Sequence, residues 1–157
     1  MPKHQLTAAS AIPRFLNSSV SQFPVCRLGL ATRGGTHLTM NDIHAALDRG
    51  INFLNWCGVP DSLSAAIAGL GPRRDRVMTC VQFEARTARE AEAELRQILR
   101  ELNTDYVDVL TFYYVEDVSE WEQITCPGGA LEYCRTAQRD GRVRLLGLTS
   151  HQRPLAA

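Results

Sequence analysis

The alternation of short apolar segments with amphipathic segments constrains the fold of this chain more than any other feature. The apolar segments lie at 51–56, 76–83, 106–115 and 143–149. Between them, apolar residues recur with the spacing of one helix face. Strands that are largely apolar along their length are typical of a parallel sheet that helices cover on its faces. The pattern therefore predicts an α/β fold.

Capping signals mark where the helices begin and end. Thr39 with Asp42 and Thr87 with Glu90 resemble capping boxes, and Asp61 or Ser62 can cap a helix between them. A further helix is predicted after the segment Pro127-Gly128-Gly129. An additional strand is predicted from Val25 through Leu28 and Leu30 to Arg33. These signals give about five strand-and-helix units.

The chain is predicted to form one domain. Residues 1–23 have a mixed character and are interpreted as a flexible N-terminus or a short hairpin, and residues 24–157 as the ordered domain. Two architectures fit this pattern: a doubly wound sheet of about this size, or part of a TIM barrel, which needs eight units and typically ~250 residues. The absence of Gly-x-Gly-x-x-Gly after the first strand argues against the commonest nucleotide-binding form of the doubly wound sheet.

Charge and cysteine usage exclude several classes of function. The formal net charge is zero, and no basic run is long enough to follow a phosphate backbone, so nucleic-acid binding is not expected. No segment has the apolar length of a secretory signal or a membrane span, which favours a cytoplasmic protein. The five cysteines include no Cys-x-x-Cys pair, so we expect reduced thiols rather than disulfides or a zinc site, and no metal.

Three phrases of the sequence carry a resemblance to a known family. They are Gly-Ile-Asn-Phe-Leu at 50–54, Leu-Asn-Thr-Asp-Tyr-Val-Asp-Val at 102–109 and Gly-Arg-Val-Arg-Leu-Leu-Gly-Leu-Thr-Ser at 141–150. In residue type and in their order along the chain, these phrases resemble motifs of the aldo-keto reductases. The resemblance implies a partial (β/α)8 TIM barrel, NADP or NAD as the cofactor, and a small carbonyl or alcohol substrate. It also implies that the family's main cofactor-binding region, in the loops after strands seven and eight, is missing from this chain.

The same resemblance locates the positions of the family's catalytic residues. The family's Asp, Lys and His positions fall on Asn55, Gln82 and Tyr113, and its Tyr position falls near Pro60. No tyrosine precedes Tyr106, and Lys3 is the sole lysine of the chain. A tyrosine whose pKa a lysine lowers is the family's proton donor, so ordinary catalysis of this kind is not expected.

Two interpretations of these positions remain open. In the first, Tyr113 replaces the missing proton donor, oriented by Gln82 or Asn55 and helped by His151. In the second, Asn55 and Gln82 satisfy backbone groups at strand ends, while Tyr113 and Tyr114 alternate between the barrel interior and the helix layer. Cys57 is likewise either a reactive thiol or an ordinary loop cysteine.

Thr149 and Ser150 occupy the positions at which the family contacts the nicotinamide amide. The resemblance makes both of them candidate cofactor-binding residues, with a contact weakened by the short Ser150 side chain. The alternative is that Ser150 caps a helix.

Five strands out of eight would leave two strand edges unpaired. We expect the inward apolar positions, such as Phe53, Val81 and Leu110, to lack opposing strands, which favours self-association through an exposed edge. The sequence thus predicts an oxidoreductase domain that is inactive or atypical as this truncated chain. The alternative is a non-catalytic binding or assembly module that pairs through its open edge.

Overall fold

The computed structural model describes residues 18–33 and 37–151. Within them, five parallel strands form one sheet in the chain order β3-β4-β5-β6-β7, and a separate antiparallel hairpin precedes it. The strands are β1 (Ser18–Val20), β2 (Phe23–Val25), β3 (Leu30–Thr32), β4 (Phe53–Trp56), β5 (Met78–Phe83), β6 (Val107–Phe112) and β7 (Val143–Leu148). The helices are α1 (Met40–Asp48), α2 (Ser62–Ala68), α3 (Ala88–Glu101), α4 (Val118–Thr125) and α5 (Ala130–Arg139), with a 3₁₀ helix at Gly71–Arg76. The predicted α/β class with about five parallel strands is confirmed.

Side chains at the first turns of the helices satisfy free backbone N–H groups. The boxes formed by Thr39 with Asp42 and by Thr87 with Glu90 are both present, and Asp61 caps α2. Two elements were not predicted. Helix α4 has few apolar residues, only Ile124 being buried, and the 3₁₀ helix begins at the Gly71-Pro72 pair interpreted as a stop signal.

The hairpin lies at the amino-terminal side of the sheet. Val25 belongs to this hairpin and not to the first strand of the sheet, which is confined to Leu30–Thr32. The side chain of Asn52, just before β4, accepts a hydrogen bond from the Cys26 N–H at 2.7 Å and donates one to the Pro24 carbonyl at 2.8 Å. The predicted domain boundary at residues 23 and 24 stays a prediction, and residues 1–17 and 152–157 lie outside the described residues.

One face of the sheet packs against the helices. Leu54, Trp56, Val81, Leu110 and Phe112 are almost fully buried and belong to the same core as the helix residues. The expectation that Val81 and Leu110 face the barrel interior was therefore wrong. Alternation along each strand turns the intervening residues to the other, inward face.

A buried ionic cluster joins the strands at their amino-terminal ends. The Asp108 carboxylate, 1% exposed, contacts Arg74 at 2.9 Å and Arg144 at 2.7 Å. It also accepts hydrogen bonds from the Thr79 N–H and hydroxyl. Both guanidinium groups stack on the Tyr106 ring, at 4.1 and 4.0 Å from its centroid. This cluster stabilises the end of the sheet opposite to the candidate site described next.

Candidate functional site

The inward face of the sheet carries a row of uncharged polar side chains near the carboxyl ends of the strands. Asn55 pairs in register with Cys80, and Gln82 pairs with Thr111. All four side chains lie on the face opposite to the buried core of the helices, because they alternate with Trp56, Val81 and Leu110. Functional groups of parallel barrels are concentrated at this end of the strands.

The Asn55 side chain has an unusual feature. Its Oδ1 atom is buried and has no hydrogen-bond partner among the described residues. Buried acceptors of this kind are rare, because each costs about 1–3 kcal/mol when no donor reaches it. This atom is a candidate for contact with a ligand that donates a hydrogen bond.

Cys80 lies beside Asn55 on the inward face, and its Sγ is 3.3 Å from the Thr111 hydroxyl. Burial raises the pKa of the Cys80 thiol, and the hydrogen bond with Thr111 opposes this effect only in part. The thiol therefore stays protonated near neutral pH, and we assign it no nucleophilic role. Cys57 is partly exposed in the loop after β4, and no contact in the described structure marks it as reactive.

Tyr113 lies just beyond β6, where its backbone N–H donates to the Phe83 carbonyl at 2.9 Å. Within the described residues, no hydrogen bond joins the Tyr113 side chain to Asn55, Gln82 or His151. The predicted alternation of Tyr113 and Tyr114 was wrong, because β6 ends at Phe112 and Tyr114 adopts a positive φ of 56°. Both rings therefore line one cleft, with their centroids 5.5 Å apart.

That cleft is open to solvent and has a volume of about 650 Å³. His151 lies in it, with its ring centroid 4.6 Å from that of Tyr114 and 6.5 Å from that of Tyr113. The cleft is lined by Arg33, Glu84, Arg86, Tyr113, Tyr114, Glu120 and His151.

Arg86 connects three segments around the cleft. Its guanidinium donates to the Glu84 carbonyl at 2.9 Å and to the Tyr113 carbonyl at 2.8 Å, and it pairs with Glu120 of α4 at 3.3 Å. Hydrogen bonds from the Glu116 N–H and from Arg86 lower the pKa of Glu120, so this carboxylate is ionised at neutral pH. The hydrogen bonds and the ion pair of the Arg86 guanidinium therefore join the walls of the cleft.

Thr149 and Ser150, the predicted cofactor contacts, follow β7 at the same end of the sheet. The Thr149 hydroxyl accepts the Tyr114 N–H at 3.0 Å, and the Thr149 N–H donates to the Phe112 carbonyl at 3.0 Å. Thr149 thus fixes the turn that carries Tyr114. Ser150 follows Thr149 in the chain, and no described helix begins there.

Sequence reasoning missed Arg86, Glu116 and Glu120. Each lies in or just after the loop that follows a strand, which is the one signal that could have identified them. Within residues 18–33 and 37–151, no three or more His, Cys, Asp or Glu side chains form a cluster suited to a metal ion. None of the helices described there is both long and apolar enough to cross a bilayer.

Comparison with known proteins gives the same fold. An aldo/keto reductase from Brucella melitensis matches at 16% identity and a TM-score of 0.65, over 88% of this chain and 52% of its own. An aldo-keto reductase from Klebsiella pneumoniae in complex with NADPH matches at 19% identity and a TM-score of 0.65, over 82% and 46%. Another from the same organism, in complex with NADP and acetate, matches at 18% identity and a TM-score of 0.67, over 85% and 48%.

The chain thus spans about half the length of these structural neighbours, and its five parallel strands with the helices between them correspond to part of a TIM barrel. A comparison with curated proteins gave no match. The family model described as "Aldo/keto reductase family" matches residues 30–154, which is most of the chain. Together with the sheet order and the polar row at its carboxyl end, this match shows that the chain belongs to the aldo/keto reductase family.

Proposed function

We propose that this chain is a nicotinamide-linked oxidoreductase domain for small carbonyl or alcohol compounds, with atypical proton-transfer chemistry. Support comes from the family match and from neighbours crystallised with NADPH and with NADP. A cytoplasmic location and the absence of nucleic-acid partners belong to the same proposal.

The observation that carries the proposal is the uncharged polar row on the inward face. Asn55 and Gln82 lie where the resemblance puts an acidic and a basic residue, and Tyr113 lies where it puts a histidine. An amide cannot hold a lysine by charge or lower the pKa of a neighbouring phenol as a cation does. We infer that Asn55 and Gln82 orient a bound ligand by hydrogen bonds, and that proton transfer from a tyrosine whose pKa a lysine lowers does not operate here.

Two features of the described residues fit a nicotinamide group. The unpaired Oδ1 atom of Asn55 is an acceptor for an amide or hydroxyl donor. Thr149 and Ser150 follow β7 at the carboxyl end of the sheet, which is also the end at which Asn55 lies in β4. Such a group supplies a hydride, while the chain supplies orientation and the proton.

Titration of the chain with NADPH and NADH tests this proposal. Energy transfer from Trp56 and Trp121 to the reduced nicotinamide reports binding, and we expect saturable binding of NADPH. Asn55→Leu should weaken it by about tenfold, since it removes one hydrogen-bond acceptor from the site. Asn41→Leu, at an exposed position of α1, is the matched control. If neither nucleotide binds saturably, the proposal is rejected.

A second candidate function is a non-catalytic assembly module. In the described part of the sheet, β3 and β7 each have one neighbouring strand, and Leu148 of β7 is 52% exposed. Unpaired strand edges of this kind pair readily with other chains. A defined dimer in light scattering at micromolar concentration, converted to a monomer by Leu148→Lys, would favour this function. A monomer throughout would exclude it.

A further inference from the structure

Tyr114 occupies a strained position at the edge of the cleft. A φ of 56° is uncommon for a bulky residue and strains the backbone, so the surrounding structure must hold it in place. The Thr149 hydroxyl does so by accepting the Tyr114 N–H at 3.0 Å. As a result, the Tyr114 ring lies in the cleft and is 46% exposed.

His151 packs against this ring and also contacts a carboxylate. The backbone N–H of His151 donates to Glu116 Oε1 at 2.7 Å, and the ring Nδ1 lies 4.0 Å from the same oxygen. The Glu116 side chain is 12% exposed, whereas that of His151 is 56% exposed. The imidazole therefore combines a shielded carboxylate partner with open access to the cleft.

This arrangement has the parts that acid–base chemistry requires. An imidazole changes its charge in the physiological pH range, and a carboxylate that orients it also compensates its protonated form. The other titratable or charged groups that line the cleft are Arg33, Glu84, Arg86, Tyr113, Tyr114 and Glu120. Arg86 and Glu120 form an ion pair, so their opposite charges largely cancel near His151.

We propose that His151 is the proton-transfer residue of this cleft, with Glu116 as its positioning residue and Tyr114 as the wall against which it packs. The inference rests on the proposed function, which names a carbonyl substrate and a reduced nicotinamide. When the carbonyl carbon accepts a hydride from that reductant, the π electrons move to oxygen, and the oxygen takes a proton from the imidazolium. The products are an alcohol, an oxidised nicotinamide and a neutral imidazole, which water reprotonates.

Nuclear magnetic resonance tests whether a carbonyl compound binds beside His151, and it does not require turnover. The chain contains four histidines, so variants assign their ring signals one by one. Titration with benzaldehyde should shift the His151 ring signal saturably and leave the His44 signal unmoved. Tyr114→Ala should abolish the shift, because the substitution removes the ring against which His151 packs. If benzaldehyde does not shift the His151 signal, the inference is overturned, whether or not the chain reduces carbonyls.

Kinetics test the chemical role. With NADPH and benzaldehyde, His151→Gln should lower kcat by at least ~100-fold, with KM changed by less than about threefold. Glu116→Gln should lower kcat by about tenfold, as a positioning residue does. His44→Gln, on α1, is the matched control.

The two hypotheses fail in different ways. If the chain reduces benzaldehyde and His151→Gln retains kcat within about threefold, the role of His151 is overturned while the proposed function stands. If the chain neither binds NADPH nor oxidises it, the proposed function is rejected, and the proton-transfer role is rejected with it.

Discussion

Asn52 shows what a single side chain contributes to this fold. It sits between Gly50-Ile51 and β4, and its amide forms one hydrogen bond as an acceptor and one as a donor with the backbone of the hairpin. An amide can do both at once, whereas a carboxylate can only accept. The Asn of the Gly-Ile-Asn-Phe phrase thus has a structural role, which the sequence did not reveal.

Asn52→Ala should lower the free energy of unfolding by about 2 kcal/mol, because it leaves the Cys26 N–H and the Pro24 carbonyl without their partner. Urea denaturation measures this change, and exchange of the Cys26 amide should accelerate in the same variant. Asn41→Ala, which changes an exposed asparagine of α1, should alter stability little. An unchanged Cys26 exchange rate would contradict the role assigned to Asn52.

Cys134 of α5 provides a prediction for alkaline pH. The residue is fully buried, and desolvation raises the pKa of its thiol from 9.0 to about 12, with the nearby Glu94 carboxylate adding to the effect. Between about pH 9 and pH 12, the Cys134 thiol is deprotonated in the unfolded chain but keeps its proton in the folded chain. The stability that the thiol contributes is complete below about pH 9 and is lost as pH rises toward 12, at up to ~1.4 kcal/mol per pH unit.

Urea denaturation at several pH values tests this effect. Cys134→Ala should make the free energy of unfolding depend less steeply on pH in this range. The cavity that the substitution leaves lowers stability at every pH. Cys126→Ala changes an exposed cysteine and should leave the slope as it is. Equal slopes in the wild type and Cys134→Ala would show that the thiol is not the group responsible.

At the scale of secondary-structure elements, the turn between α4 and α5 shows how closely two helices can approach. A Cβ atom added to Gly129 would lie 2.4 Å from the Ile124 carbonyl oxygen and 2.6 Å from that of Gln123. The same turn is joined to the segment before α3, since the Ala130 N–H donates to the Arg86 carbonyl and the Ala88 N–H to the Gly128 carbonyl. Gly129 therefore permits the close approach of the last turn of α4 to the start of α5.

Gly129→Ala should lower the melting temperature strongly, corresponding to at least ~3 kcal/mol, because backbone atoms that cannot move aside occupy the space of the new methyl group. Gly69→Ala is the matched control, since its nearest contact would be an ordinary 3.5 Å. Calorimetry measures both. A Gly129→Ala protein as stable as the Gly69→Ala protein would mean that the turn opens at little cost.

At the scale of the whole molecule, stability should be unequal between the centre and the edge of the sheet. Strands β5 and β6 are paired on both sides, whereas β3 has one neighbour in the described sheet and only three residues. We expect the amides of Val81 and Leu110 to exchange only through global unfolding, and those of Leu30–Thr32 at least ~100-fold faster. Hydrogen exchange read by NMR tests this, and equal protection in β3 and β6 would contradict it.

Periodicity and capping predicted much of this architecture, because both depend on neighbouring residues. The helices that begin after Thr39, Asp61 and Thr87 were predicted from local signals. Helix α4 escaped prediction because its exposed surface leaves little apolar pattern. Two residues were assigned to the wrong face, since Val81 and Leu110 point to the helices, and a one-residue shift in a strand reverses its faces.

The candidate site was predictable in its strand positions but not in its contacts. Asn55 and Gln82 lie on the inward face near the carboxyl ends of their strands, and their functional roles stay predictions. The arrangement of Tyr114, His151 and Glu116 depends on a positive φ after β6 and on contacts 35 residues apart in sequence. No local pattern encodes either feature.

The Arg86 guanidinium, which joins the loop after β5, the end of β6 and helix α4, has a consequence for ligand entry. Since one planar cation holds all three, none of them can swing outward without losing its bond to the others. A ligand therefore meets walls that are already in place and pays little entropy for ordering them. Its affinity then reports the fit between ligand and cleft, and its heat-capacity change reflects the apolar surface it covers rather than any folding of loops around it.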